Sequence, residues 1–162
     1  MHEIYLLLGS NLGKREKLLL QAAEQIEARV GQILKKSSVY QTQSWGVNNQ
    51  PDYLNQVIFV KTSLKPRELL SRILLIEKGL GRKRIEKWGS RHIDIDILFY
   101  GDEIIDEPDL IVPHQYFHER RFAVEPMLEI APDFIHPKLK KSIKSIALEL
   151  TDKLSVQNLN HI

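Results

Sequence analysis

The sequence lacks cysteine and lacks any long apolar run, and each absence excludes a class of protein. Without cysteine, disulfide scaffolds, thiolate zinc sites and cysteine nucleophiles are excluded, so any metal must be held by oxygen or imidazole ligands. The longest apolar run near the start covers residues 4–8, which is too short for the hydrophobic segment of a signal peptide. We therefore expect a protein of the reducing cytoplasm that does not enter a membrane.

An excess of either charge is also missing. The chain has 23 Lys and Arg residues against 21 Asp and Glu residues, a formal net charge of +2, which is too small to indicate a general nucleic-acid binder. Hydrophobic residues make up 43% and charged residues 27% of the chain, and this composition is typical of a globular protein rather than a disordered one. A chain of 162 residues can bury its own core, so we predict a single domain over residues 1–162.

Hydrophobic periodicity predicts the fold class. Apolar stretches near residues 4–8, 33–40 and 53–62 are predicted to be strands, and a fourth strand is predicted in the stretch HIDIDIL. Apolar residues at helical spacing predict one helix that ends with a cap at Gly31 and another that begins at Pro66. The order β-α-β-β-α-β is that of the ferredoxin-like arrangement. We therefore predict an α+β fold, an antiparallel sheet with both helices on one face.

The chain beyond Gly101 is predicted to form an irregular C-terminal extension. Prolines interrupt every short run in this part of the sequence: Pro108, Pro113, Pro126, Pro132 and Pro137. One last helix is predicted near residues 142–154, and the tail after Ser155 is expected to be frayed.

Two aspartates, Asp94 and Asp96, alternate with isoleucines in the fourth predicted strand. Side chains alternate along a strand, so both carboxylates should project from one face with their Cα atoms about 6.6–6.8 Å apart. A solvated strand face is the simpler explanation for a lone Asp-x-Asp, but Asp is disfavoured in strands. Ionised carboxylates this close repel each other unless a cation is bound nearby, so the pair indicates a metal site.

The loop before this strand, GRKRIEKWGSR at residues 81–91, carries five basic side chains against one acidic one. The end of a solvated helix would explain the basic residues but not the aspartates. Magnesium is commonly bound by one or two carboxylates together with phosphates, and the planar guanidinium of arginine suits phosphate oxygens. We therefore predict that Mg²⁺ bridges ATP to Asp94 and Asp96, while Arg82 and Arg91 contact the phosphates.

Tyr53 and Asn55 are expected to share one face of the third strand, near a polar loop that contains Trp45. An aromatic ring beside an amide suits a flat heterocycle with mixed hydrogen-bonding edges. Among the histidines, His114 is the site candidate, whereas the following are expected at the surface: His2, His118, His136 and His161. The segment GSNLGK at residues 9–14 lacks the spacing of a phosphate-binding P-loop and is predicted to be a glycine-rich turn.

The stretch KWGSRHIDIDIL at residues 87–98 resembles the signature of the 6-hydroxymethyl-7,8-dihydropterin pyrophosphokinase family. Further matches occur in family order between about residues 3 and 135: GSNLG, SSVYQT, QPDYLN, and VPH followed by Arg120 and Phe122. The resemblance implies the ferredoxin-like fold and pyrophosphoryl transfer from ATP to the hydroxymethyl group of the pterin, with release of AMP. It also implies two Mg²⁺ ions and two small-molecule partners, ATP and the pterin alcohol. We expect a monomer that binds neither nucleic acid nor a membrane.

On the nucleotide side, the resemblance implies a role for each matching position. Asp94 and Asp96 would coordinate the two Mg²⁺ ions, and Arg82 and Arg91 would neutralise phosphate charge. An offset of one residue against some members leaves open whether Lys83 or Arg84 assists them. The other positions that match residues lining or supporting the ATP site are Glu77, Trp88, His114 and Arg120.

On the pterin side, Tyr53 and Phe122 would enclose the ring, and Asn55 would read its edge. The loop that would help to bind the ring contains Thr42, Trp45 and Gly46. This loop departs from the Thr-x-Pro-x-Gly pattern of many members because Ser44 replaces the proline, and Gln115 replaces the proline that often follows His114.

Two other functions share some of these features. An RNA-binding module could stack bases on Tyr53 and Phe59, although an acidic pair on the same face would repel the phosphate chain. A nucleotidyl or glycosyl transferase could use Asp-x-Asp to hold the metal of a sugar nucleotide, but such an enzyme would have no affinity for a pterin.

Overall fold

The computed structural model describes residues 1–10, 14–42, 53–82, 93–152 and 156–159. Within them, a six-stranded sheet is accompanied by a separate two-stranded sheet. Among the helices in these ranges, none has the length and hydropathy that a membrane span requires. The strands are β1 (His2–Ser10), β2 (Gly31–Lys36), β3 (Tyr40–Thr42), β4 (Tyr53–Thr62), β5 (Asp94–Tyr100), β6 (Ile105–Glu107), β7 (Leu110–Val112) and β8 (Val156–Asn158). The helices are α1 (Arg15–Arg29), α2 (Pro66–Glu77), α3 (Arg121–Ile130) and α4 (Ile143–Leu148).

The main sheet has the predicted ferredoxin-like topology. Its order is β5-β1-β4-β3-β8, and β2 pairs with β4 beside β3. Strand β1 pairs antiparallel with both β4 and β5, so β1 and β4 are central while β5 lies at one edge. The β-α-β-β-α-β order expected from the sequence is therefore confirmed, with the predicted second strand divided into β2 and β3.

Helices α1 and α2 cover one face of the sheet. Ile4, Leu6 and Leu8 of β1 point into a core shared with buried residues of both helices, among them Ile26 and Ile73. Each fully buried side chain of this kind contributes about 1.5–3 kcal/mol. The placement of both helices on one face is therefore confirmed. Helix α2 ends at Glu77. The chain continues in a helical turn from Lys78 that is interrupted at Gly81, whose φ of 171° and ψ of −17° are not helical.

Helix α3, which the proline pattern did not predict, covers part of the opposite face together with α4. Proline lacks the N–H that an interior helix position donates, yet Pro126 lies inside α3. The helix nevertheless buries Val124 and Met127 against Leu7 and Phe99 of the sheet. Tertiary packing of this apolar face stabilises a helix that the local sequence argues against. The predicted C-terminal extension is therefore present, but the expectation that it is irregular and contains one helix is wrong.

Three further predictions are wrong in detail. Gly31 does not cap α1; it begins β2, where an added Cβ would lie 2.1 Å from the Lys61 carbonyl oxygen. The last helix is shorter than predicted and begins after Ser142, whose hydroxyl accepts a hydrogen bond from the Ser145 N–H at 3.1 Å. The tail is not frayed at Val156–Asn158, because these residues form β8 and pair with β3.

Candidate active site

A row of three residues crosses the sheet where the core under α3 ends. Gly9 of β1 pairs with Asp94 of β5 on one side and with Asn55 of β4 on the other. Paired residues of antiparallel strands project from the same face. In the adjacent row, Leu7 pairs with Asp96 and is buried in the core shared with α3. The row of Gly9 therefore lies just beyond that core, on the same face of the sheet.

Asp94 and Asp96 lie on this face, as the alternation in the sequence predicts. Ile95 and Ile97 point instead into the core under α1 and α2 and are 4% and 8% exposed. Both aspartates are half-buried. The two carboxylates are therefore on one side of the edge strand β5, close enough to share a group of bound ions.

Glu77 supports this edge strand from α2. Its side chain is buried, and its carboxylate accepts a hydrogen bond from the Ile95 N–H at 2.8 Å. Ile95 lies between the two aspartates in β5, which within the described residues pairs only with β1. The hydrogen bond therefore fixes the backbone of β5 between Asp94 and Asp96, on the side of the strand that does not pair with β1.

His114 follows β7 and is anchored to β5, because its N–H donates to the Leu98 carbonyl at 3.0 Å. Burial lowers the pKa of His114 below its ordinary value, the charge of Asp96 raises it, and the charge of Arg120 lowers it again. The His114 imidazole therefore lies within the electrostatic influence of both Asp96 and Arg120.

Arg120 lies between two aromatic rings. Its guanidinium carbon is 5.2 Å from the centroid of Tyr116 and 5.7 Å from that of Phe122, within the range of cation–π attraction. Phe122 also packs against the core under α3. The structure therefore brings Arg120, predicted for the nucleotide, beside Phe122, predicted for the pterin ring. Sequence reasoning missed Tyr116, for which the available signal was an aromatic residue two positions after His114.

Three of the residues predicted for the pterin, Thr42, Tyr53 and Asn55, lie along β3 and β4. Thr42 pairs with Tyr53; Tyr53 is 39% exposed. Asn55 is buried, and its side-chain Nδ2 donates to the Leu8 carbonyl at 3.3 Å. Thr42 is buried too, and no group among the described residues hydrogen-bonds its hydroxyl. A buried hydroxyl without a partner is rare in folded proteins and calls for an explanation.

Glu129 ties α3 to the segment that leads into β3. Its carboxylate accepts from the Tyr40 hydroxyl at 2.7 Å and from the Ser38 N–H at 3.0 Å. Burial, followed by this bond to Glu129, raises the pKa of Tyr40 well above its ordinary value. The hydroxyl therefore stays protonated and remains a donor. The contact fixes the strand that carries Thr42 relative to the helix that carries Phe122.

The other residues predicted for the site cannot be placed. The side chain of Arg82 and the whole of the following residues lie outside the described residues: Trp45, Gly46, Lys83, Arg84, Trp88 and Arg91.

The donor set fits magnesium shared with phosphates. Within the described ranges, no group of three or more His, Asp or Glu side chains could hold a metal ion. A cage built from protein groups alone is therefore not formed by these residues. The pair Asp94 and Asp96 instead matches the preference of Mg²⁺ for one or two carboxylates, with water and substrate phosphates as its remaining ligands.

The RNA-binding alternative conflicts with the position of Phe59. Its ring stacks on Tyr5 at a centroid distance of 4.6 Å, and both residues belong to the core shared with α3. A strand aromatic that reads bases must present its ring on an open sheet face. Phe59 does not, because α3 and α4 pack on that face.

A ferredoxin-like sheet with two carboxylates on its edge strand, beside an arginine and a histidine, defines the class: a transferase that acts on phosphate groups. The family follows from comparison with known proteins. The model of the 7,8-dihydro-6-hydroxymethylpterin-pyrophosphokinase (HPPK) family matches residues 5–132. The chain belongs to this family, as the resemblance of its motifs indicated.

Curated relatives agree. The 2-amino-4-hydroxy-6-hydroxymethyldihydropteridine pyrophosphokinase of Aquifex aeolicus is 48% identical over 94% of this chain and 95% of its own length. The protein of the same name from Haemophilus influenzae is 40% identical over 82% of this chain and 84% of its own length. The folic acid synthesis protein fol1 of Pneumocystis carinii is 42% identical over 92% of this chain, which spans 20% of that protein.

Solved structures share the fold. A crystal structure of wild-type Plasmodium falciparum HPPK-DHPS with SDX-DHP matches with a TM-score of 0.73 at 18% identity. The match covers 92% of this chain and 43% of that one. This chain therefore spans less than half of the HPPK-DHPS chain.

Proposed function

We propose that the protein transfers the pyrophosphoryl group of ATP to the hydroxymethyl group of 6-hydroxymethyl-7,8-dihydropterin and releases AMP, a step of folate synthesis. One observation carries the proposal: Asp94 and Asp96 project from the same face of β5 in a chain of the pyrophosphokinase family. Two relatives, 48% and 40% identical to this chain, bear the name of this enzyme. Neither a nucleotidyl or glycosyl transferase nor an RNA-binding module explains the family match. RNA binding also conflicts with the sheet face that α3 and α4 cover.

In the reaction, the hydroxymethyl oxygen of the pterin attacks the β-phosphorus of ATP. A new bond forms between this oxygen and the β-phosphorus, the bond between the β-phosphorus and the bridging oxygen of AMP breaks, and the hydroxyl proton is released. Such transfers require little covalent chemistry from the protein. The residues around the site contribute by positioning the two substrates and by offsetting negative charge.

The acid pair would act on the ATP phosphates through the metal ions that it holds. Asp94 and Asp96 would hold two Mg²⁺ ions, and bound Mg²⁺ would supply positive charge that offsets the charge of the triphosphate. Glu77 keeps the backbone between the two aspartates in place through Ile95. Arg82 and Arg91 would bind phosphate oxygens with their guanidinium groups. We also propose Lys83, Arg84 and Trp88 as residues of the ATP site, because they match positions of the family's ATP site in the sequence.

The aromatic and amide side chains would bind the pterin. Tyr53 and Phe122 would enclose the ring, and the Asn55 amide would read its hydrogen-bonding edge. The hydroxyl of Thr42 supports this placement, because a bound heterocycle would supply the partner that the described residues do not. Trp45 and Gly46 belong to the loop that would complete this pocket.

His114 and Arg120 would complete the nucleotide side. The rings of Tyr116 and Phe122 hold the Arg120 guanidinium in place through cation–π contacts. We also propose that the protein acts as a monomer in the cytoplasm, a reducing compartment that suits a chain without cysteine.

The test is the product that ATP yields in the presence of the pterin alcohol and magnesium. A pyrophosphokinase releases AMP, whereas a nucleotidyl transferase releases pyrophosphate, and chromatography of the nucleotides separates the two outcomes. Pterin fluorescence should also report binding of the alcohol in the presence of a non-hydrolysable ATP analogue. Absence of both AMP formation and pterin binding would contradict the proposal.

A further inference from the structure

Gly9 lies between the two halves of the proposed site. It pairs with Asp94 on β5 and with Asn55 on β4, so these two residues are two strand spacings apart, roughly 10 Å. A substrate that contacts the Asn55 amide and also reaches the acid pair must pass over β1 at Gly9. The GSNLG motif of the sequence thus has its first residue in the middle of the proposed substrate site.

A side chain at this position would collide with Asn55. A Cβ added to Gly9 would lie 2.8 Å from Asn55 Nδ2, closer than real Cβ contacts. Asn55 is only 5% exposed, and its Nδ2 also donates to the Leu8 carbonyl. The amide therefore leans from β4 across β1, into the space that a side chain at Gly9 would occupy. Gly9 lies within the regular strand β1, so the requirement is for space rather than for an unusual φ.

We propose that Gly9 is a positioning residue of the pterin site. Because Gly9 has no side chain, the Asn55 amide can lie across β1, on the face of the sheet from which Asp94 and Asp96 project. This inference rests on the proposed function, in which Asn55 reads the pterin edge. It assigns the first glycine of the GSNLG motif to the placement of an amide, whereas the sequence predicts only a glycine-rich turn for this segment.

The experiment compares Gly9→Ala with the wild-type protein in two binding titrations. Pterin fluorescence measures the Kd of the pterin alcohol in the presence of magnesium and a non-hydrolysable ATP analogue, and calorimetry measures the Kd of the analogue alone. We expect Gly9→Ala to raise the pterin Kd about tenfold or more and to change the analogue Kd by less than about twofold. Leu6→Val is the control, because Leu6 is buried on the opposite face of β1. It should lower the Tm without changing either Kd.

A double-mutant cycle tests whether Gly9 acts through Asn55. In an Asn55→Ala background the colliding amide is gone, so adding Gly9→Ala should not lower the Tm further. This comparison works even if Gly9→Ala alone does not fold. A further drop of the Tm in the double variant, an unchanged pterin Kd in Gly9→Ala, or an equal loss of both ligands would overturn the inference. A wild-type protein that binds no pterin alcohol would instead contradict the proposed function itself.

Discussion

The carboxylate of Glu77 accepts a hydrogen bond from the backbone N–H of Ile95 at 2.8 Å. This contact joins helix α2 to the edge strand β5 at the residue that separates Asp94 from Asp96. A buried carboxylate on one face of the sheet thereby supports the backbone of two carboxylates on the other. It serves as a positioning group even though it does not lie on the face of the acid pair.

Replacing Glu77 should therefore lower both stability and turnover. Glu77→Ala leaves the buried Ile95 N–H without this acceptor and should cost about 1–3 kcal/mol in the free energy of unfolding, measured with urea. Glu77→Gln retains an acceptor oxygen and should recover part of this loss. Glu103→Ala, at an exposed position, is the control and should behave as the wild type. If Glu77→Ala unfolded at the wild-type urea concentration, the supporting role would be wrong.

The acid pair should be required for turnover but not for folding. Asp94→Asn and Asp96→Asn keep the side-chain volume and remove the charge that magnesium binding requires. Each variant should lower kcat for AMP formation by about a hundredfold or more, with the Tm within a few degrees of the wild-type value.

Asp102 provides the matched control for these variants. It is exposed and follows the far end of the same strand, β5. Asp102→Asn should keep wild-type turnover. Near-normal AMP formation by either acid variant would remove the proposed mechanism.

The features that could be predicted from the sequence are local ones. Alternation of side chains along a strand was enough to place Asp94 and Asp96 on one face, because the period of a strand does not depend on its neighbours. The order of strands and helices was enough for the topology, since few arrangements satisfy β-α-β-β-α-β. The motif match then identified the family.

The features that could not be predicted depend on contacts between distant segments. The Glu77 carboxylate accepts a hydrogen bond from a backbone N–H eighteen positions away. No local sequence pattern predicts such a pair. Helix α3 contains Pro126, and burial of its apolar face outweighs the proline. The sequence predicts a helix cap at Gly31. In the structure, the absence of a side chain at Gly31 instead allows the backbone of Lys61 on β4 to approach closely.

His136 was expected at the surface but is buried, at 3% exposure. Its ring packs edge-on against Phe99, and its Nδ1 accepts from the N–H groups of Lys138 and Leu139 at 3.2 and 3.1 Å. Burial is the main cause that lowers the pKa of His136 to about 4, and the charge of His118 acts in the same direction. The folded protein thus holds this imidazole in its neutral form.

The low pKa of His136 predicts acid sensitivity. The unfolded chain binds the proton near the ordinary value of 6.5 and the folded chain only near 4, so stability is full above pH 6.5 and falls as the pH drops toward 4. The loss should reach roughly 3 kcal/mol near pH 4. His136→Asn, with an oxygen in place of Nδ1 as acceptor, should flatten this dependence in urea unfolding, whereas His2→Asn at an exposed position should not. Equal pH profiles for wild type and His136→Asn would contradict the prediction.

Thr42 and Thr62 are both buried strand threonines, but their hydroxyls differ. The Thr62 hydroxyl donates to the Val30 carbonyl at 2.6 Å and accepts from the Leu64 N–H at 3.1 Å, whereas no described residue bonds that of Thr42. Valine has nearly the same shape without the hydroxyl. Thr62→Val should therefore lower the free energy of unfolding by about 1–3 kcal/mol, because two buried backbone groups lose their partner.

Thr42→Val should have the opposite effect on stability. Removing a buried hydroxyl that has no partner among the described residues relieves a desolvation penalty, so the ligand-free protein should be as stable as the wild type or more stable. Pterin binding should weaken by about threefold to tenfold, because the substrate loses a hydrogen bond of roughly 1 kcal/mol. Thermal unfolding with and without the pterin alcohol measures both effects in one experiment. A Thr42→Val protein that is less stable without ligand, or that binds the pterin as tightly as the wild type does, would show that this hydroxyl is not reserved for the substrate.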